Sequence, residues 1–207
     1  MPANDYHFVT RWRIFGTATE IFDVLSRPED YPRWWPSVYL AASELETGNG
    51  DGVGRQIALL TKGWLPYTLS WELQVTASRP PRVFEFDTGG DFVGGGRWEL
   101  EPSGAWVDVT LDWGVRAEKP LVSFLSPVLR PLFGANHRWA MRRGEESLVL
   151  ELARRRAATP GDRERVPPPP RATTSSPLPA LAAAAAVLLL AGAILRAASR
   201  RRGALRR

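Results

Sequence analysis

Apolar and polar residues alternate with a period of two over much of the first 116 positions, which is the pattern of half-buried β-strands. In YHFVTRWRIF (6–15), Tyr6, Phe8, Thr10, Trp12 and Ile14 fall on one side, and His7, Val9, Arg11 and Arg13 on the other. Six further strands are expected near 38–46, 54–62, 67–77, 82–88, 91–101 and 105–116, separated by Gly, Pro and Asp turn signals. Their close spacing leaves no room for crossover helices, so the sheet is antiparallel. Apolar faces recur at Leu69, Trp71, Leu73 and Val75, at Phe84 and Phe86, and at Val107, Val109, Leu111, Trp113 and Val115. One face of the sheet is therefore buried and the other wet.

Two segments break this period. TATEIFDVLS (17–26) opens with Thr17 and Glu20 three apart, a capping box ahead of a short amphipathic helix. Ser26 and Glu29 repeat the spacing, but Pro32 and Pro36 restrict RPEDYPRWWPS to a stub helix and a turn. After Pro120 the pattern becomes helical, with Pro127 and Pro131 near the start and the main run at about 132–155. Phe133, His137, Met141, Gly144, Leu148 and Leu152 form one helix face. The fold class is α+β: a curved seven-stranded antiparallel sheet wrapped around a long C-terminal helix, with a cleft where sheet and helix do not fully meet. Adjacent side chains in a tight turn diverge. Trp34 and Trp35 are therefore expected to split, one plugging the end of the cleft and the other on its rim near KGWLPY (62–67), as a lid.

Charge changes the picture of the tail rather than of the domain. The 207 residues carry a net +5, with a pI near 10.2, yet residues 1–152 sum to −5 and residues 153–207 to +10. An acidic domain is a poor phosphate binder, so nucleic acid is not an expected partner. All aromatic residues precede position 140. The chain therefore divides into a ligand-binding domain over 1–156, a Pro/Ser/Thr-rich disordered linker over 157–177, a hydrophobic helix over 178–196 and an Arg-rich tail over 197–207. LPALAAAAAVLLLAGAIL (178–195) would reach roughly 27 Å as a helix, enough for a bilayer core. The arginines after it favour the cytoplasmic side, while MPANDYHFVTRWR offers no export signal. The expectation is a single-pass C-terminal membrane anchor with a cytoplasmic domain.

Candidate chemistry is sparse. There are no cysteines, no convergent metal-ligand set, no phosphate loop and no dinucleotide fingerprint, so neither a metal nor a cofactor is expected. Glu72, Asp108, Asp112, Arg97, Glu99, Arg11 and Arg13 all have outward parity. The inward polar residues are Tyr6, Thr10, Thr61, Tyr67 and His137, with Asn136 beside the helix stripe. His137 is the best single candidate for acid–base work near neutrality, but a core histidine satisfied by one hydrogen bond is the stronger reading of it. The expected ligand-binding set is Thr10, Trp12, Trp35, Tyr67, Trp71, Trp98, Asn136 and His137, an aromatic lining with a few hydrogen-bonding groups. GGDFVGGGRW (89–98) lies within a strand pair and reads as bulges or close backbone approach.

The order of elements, with RPEDYPRWWP after the first helix, GDFVGGGRWELEP in the late strands and NHRWAMRRGEESL on the last helix, resembles the START-like (SRPBCC) superfamily. The resemblance is closest to bacterial polyketide cyclase/dehydrase-type proteins and covers about residues 5–155. It implies a helix-grip fold with an internal cavity for lipid-, quinone- or polyketide-like ligands. It brings no shared catalytic constellation. Three functions are compatible: a membrane-tethered binder or carrier of a small hydrophobic ligand; a polyketide cyclase or dehydratase with His137 as base and Tyr67 or Thr10 as donor; and a protein-interaction scaffold without ligand.

Overall fold

The computed structural model describes residues 5–65, 67–117 and 120–173. The seven strands are β1 (Asp5–Phe15), β2 (Tyr39–Glu46), β3 (Gln56–Lys62), β4 (Thr68–Arg79), β5 (Val83–Gly90), β6 (Phe92–Ser103) and β7 (Trp106–Ala117). They form one sheet in the order β1-β7-β6-β5-β4-β3-β2, with every neighbouring pair antiparallel. The strand parity holds: Trp12, Ile14, Leu69, Trp71, Leu73, Val75, Val107, Val109 and Leu111 are buried, while Arg11, Arg13, Glu72 and Asp112 are exposed. The outer face carries an ion ladder in which Arg79 and Arg97 both pair with Glu85, and Arg97 also with Glu99. His7 pairs there with Asp112 at 2.7 Å.

The helix α1 (Ala18–Leu25) starts at the expected capping box. The Thr17 hydroxyl accepts from Glu20 N, and Glu20 accepts from Thr17 N. The second box does not form. Ser26 is instead the C-cap of α1, and Arg55 takes both partners, pairing with the Glu29 carboxylate at 3.0 Å and donating to the Ser26 carbonyl. A 3₁₀ turn (Pro28–Asp30) then runs into α2 (Tyr31–Trp34), whose proline sits in the first turn where its missing N–H costs no ladder bond.

The long helix, α3 (Pro120–Arg156), begins earlier than its apolar stripe suggested, and Pro127 and Pro131 lie within it. Phe133, Met141, Gly144, Leu148 and Leu152 are buried as the stripe required. Glu151 is buried with them, held by both guanidinium nitrogens of Arg33 at 2.9 and 3.0 Å and by Arg155 at 2.7 Å. This ion pair fastens α2 to α3.

The segment after α3 differs from the extended, disordered linker expected over 157–177. As far as Thr173 it contains α4 (Pro160–Arg165), N-capped by Thr159, followed by a proline run laid along the domain. The hydrophobic helix and Arg-rich tail expected over 178–207 lie outside the described residues. Among the described residues, no helix is long and apolar enough to cross a membrane.

Candidate ligand-binding site

A cavity of about 120 Å³ lies between the sheet and the middle of α3. Its sheet wall comprises Tyr6 and Phe8 of β1, Thr61 and Lys62 of β3, Leu69 and Trp71 of β4, Phe92 of β6, and Trp113 and Val115 of β7. Its helix wall comprises Phe133, Asn136, His137, Ala140 and Met141, and its remaining boundary comes from Trp35, Val38 and Tyr39 after α2 and from Gly63 and Tyr67 in the β3–β4 connection. Apolar and aromatic surface dominates, as small-molecule sites require. Among the described residues there is no group of acids or histidines that could hold a metal.

Of the expected ligand-binding residues, Trp35, Tyr67, Trp71, Asn136 and His137 line this cavity. Thr10, Trp12 and Trp98 do not. Trp12 and Trp98 pack against each other with centroids 5.0 Å apart, in the core beyond the cavity's end. Their inward parity was right, but parity fixes a face and not how far along the strand the cavity extends. Thr10 is not among the lining residues, but its hydroxyl and His137 Nε2 share a hydrogen bond of 3.2 Å.

The lid expected of the two tryptophans is absent. Trp34 and Trp35 are both buried, with 0% and 2% of their surface exposed. Both belong to the main core, their ring centroids 5.4 Å apart. Trp35 is a wall of the cavity, and Trp34 takes no place on its rim. The divergence of adjacent side chains implied one exposed ring only if one side of the turn were wet. Here α2 touches both β2 and α3, so core lies on more than one side of it. Space for the Trp35 ring comes from Gly144, where a Cβ would stand 2.3 Å from Trp35 Cζ2.

The polar groups of the wall differ in how far they are already engaged. The Trp71 indole donates to Thr61 Oγ1 at 2.9 Å, which fixes that ring. Asn136 Oδ1 accepts from Trp64 N at 2.9 Å and Leu65 N at 3.4 Å, so it latches the β3–β4 connection to α3. Gly63 permits this approach, since a Cβ there would lie 2.1 Å from Asn136 Oδ1. His137 stacks on Phe8 with centroids 4.0 Å apart. Burial, with a smaller contribution from the charge of Arg138, lowers its pKa to about 4, so the imidazole is neutral at pH 7. Burial also pushes the Tyr67 phenol well above its ordinary pKa, so it remains a donor.

Sequence reasoning did not single out Lys62, Tyr39 or Val38 as wall residues. Lys62 ends its strand immediately before the connection, where a long stem can lie along apolar surface while its ammonium reaches the rim. Period-two parity carries no signal for that geometry.

Solved structures share this architecture. The ZhuI aromatase/cyclase from Streptomyces sp. R1128 superposes with a TM-score of 0.59 at 18% identity, covering 74% of this chain and 97% of that one. TTHA0849 from Thermus thermophilus superposes with a TM-score of 0.57 at 14% identity, covering 70% and 99%. The di-domain ARO/CYC StfQ of the steffimycin biosynthetic pathway gives 0.55 at 13% identity, covering 76% of this chain and 53% of that one. At such identities the likeness is one of fold. No curated protein matches the chain in sequence. A family model described as "Polyketide cyclase / dehydrase and lipid transport" matches residues 16–141, more than half of the sequence, and the chain belongs to that family.

Proposed function

We propose that this protein binds a small apolar molecule, about one aromatic ring in size, in the cavity between the sheet and α3. The observation that carries this reading is the cavity itself, aromatic and aliphatic on most sides with a few hydrogen-bonding groups. Its volume sets the scale: a buried apolar cavity of about 150 Å³ accepts benzene, whereas drug-sized ligands occupy roughly 300 Å³ or more. An extended polyketide chain would require α3 or the β3–β4 connection to move outward. Family membership and the fold shared with aromatase/cyclases are consistent with a ligand of this chemistry.

A cyclase or dehydratase is the second reading, favoured by one observation. A neutral imidazole at His137 and a protonated phenol at Tyr67 stand on the same cavity wall, a base and a donor. Against it, His137 Nε2 is engaged by Thr10, and among the described residues the wall holds no carboxylate. Binding accounts for the wall with fewer requirements.

The test is titration of the full chain with 4-ethylphenol, followed by intrinsic tryptophan fluorescence, since Trp35, Trp71 and Trp113 all face the cavity. A saturable change that disappears in Ala140→Leu, which fills the cavity from the helix side, supports the proposal. No saturable change, or one unaltered by Ala140→Leu, refutes it. The cyclase reading falls if His137→Ala retains full turnover of a poly-β-keto thioester.

A further inference from the structure

The segment after α3 reaches back to the cavity. Arg154 donates to the Pro167 carbonyl near the end of α3, and Lys62 Nζ donates to the Thr173 carbonyl at 3.1 Å on the cavity wall. Between these two points run Pro167, Pro168, Pro169 and Pro170. Prolines fix the backbone in an extended helix rising about 3.1 Å per residue, so Pro167 to Thr173 spans roughly 19 Å without needing internal hydrogen bonds. Pro169, Pro170, Ala172 and Thr173 are half-buried while Pro167, Pro168 and Arg171 are exposed, so the segment lies against the domain as a strap.

Lys62 is the one charged side chain among the described wall residues, which include no acid and in which His137 is neutral at pH 7. Its ammonium has a neutral carbonyl as its partner. A carboxylate is a stronger acceptor for an ammonium than a carbonyl, since ionic hydrogen bonds are about twice as strong as neutral ones.

We propose that the cavity selects apolar ligands bearing a carboxylate, which pairs with Lys62 in place of the Thr173 carbonyl, so that ligand and strap compete for one ammonium. This rests on the binding reading above and names its ligand class. Competition for a shared group is reciprocal: the ligand loosens the strap by the same factor by which the strap weakens the ligand. The strap lies beyond the residues matched by the family model, which end at 141.

The experiment compares 4-ethylbenzoate with its uncharged counterpart 4-ethylbenzamide on the full chain at pH 7 and low salt, by calorimetry. The benzoate is expected to bind more than tenfold tighter. Lys62→Met abolishes that preference, weakening the benzoate more than the benzamide, and Lys62→Arg retains it. Saturation with benzoate, and not with benzamide, speeds hydrogen exchange at the amides of Arg171, Ala172 and Thr173. Replacing Pro167–Pro170 by Gly-Ser-Gly-Ser in the full chain tightens benzoate binding several-fold. Equal affinity of the two probes, or equal weakening of both by Lys62→Met, overturns the carboxylate pairing alone. A preference for benzoate without faster exchange at residues 171–173 overturns the competition with the strap. If neither probe binds, the binding reading fails and this proposal with it.

Discussion

Gly144→Ala inverts an ordinary expectation. In a helix interior, replacing glycine by alanine normally stabilises by about 0.8–1 kcal/mol. Here the new Cβ would lie 2.3, 2.6 and 2.7 Å from Cζ2, Cη2 and Cε2 of Trp35. Relaxed carbon contacts lie at roughly 3.5–4.0 Å, so the ring or the helix must give by more than about 1 Å. The ring has little freedom. It is enclosed by Trp12, Tyr31, Trp34 and Tyr39, with centroids 6.0, 6.2, 5.4 and 5.1 Å away. Overpacking of this kind costs about 1–3 kcal/mol. After the propensity gain, the expected net loss is up to about 2 kcal/mol. Urea denaturation of the full chain measures it, and a double-mutant cycle with Trp35→Phe isolates the contact. The smaller ring should recover the alanine variant, with a coupling above about 1 kcal/mol. Stabilisation by Gly144→Ala alone, or coupling within about 0.5 kcal/mol of zero, would refute the argument.

Other groups make independent predictions. The folded-state pKa of His137, about 4, lies below the usual value near 6.5, so the unfolded chain binds that proton first. Its contribution to stability is complete above about pH 6.5 and is lost as pH falls toward 4; His137→Gln should flatten that limb, and imidazole NMR should show the ring neutral at pH 5.5. Glu20, lowered to about 2 by its hydrogen bonds to Arg156 and Thr17, contributes above about pH 4.5 and loses that contribution on falling toward 2, a separate lower window that Glu20→Gln should remove. Gly63→Ala should break the Asn136 latch, cost about 1–2 kcal/mol and speed hydrogen exchange at Trp64 N–H. Replacing Arg33 and Arg155 together by methionine strands the buried Glu151 carboxylate; chemical denaturation should show a loss of about 3 kcal/mol or more, greater than for Glu151→Gln, which leaves both arginines partly hydrated.

Local rules made the scaffold legible. The Thr17 capping box, the inward parity of β1, β4 and β7, and the stripe from Phe133 to Leu152 are decided within a few residues of themselves, and each stands in the structure. The site was only partly legible because its limits are set by contacts distant in sequence. Trp12 and Trp98 share parity with Phe8 and Phe92, and only the packing at one end of the sheet makes the first pair core and the second pair wall. Trp34 could not be separated from Trp35 without knowing that α2 meets both β2 and α3. Lys62 gains its place through a carbonyl 111 residues away, and a run of prolines read as an unattached linker carries no mark of where it will dock.

The strand order has a consequence for how the molecule is made. Among the described strands β1 pairs only with β7, from Asp5 opposite Arg116 to Phe15 opposite Trp106, so its partner is synthesised about 100 residues later. At about 5–20 residues per second, the first strand waits roughly 5–20 s on the ribosome before its edge can be paired. Throughout that interval Tyr6, Phe8 and Trp12 have no sheet in which to bury. The other strands can zip as successive hairpins from β2 to β7 as they emerge, so the earliest strand to leave the ribosome is the last to find its place.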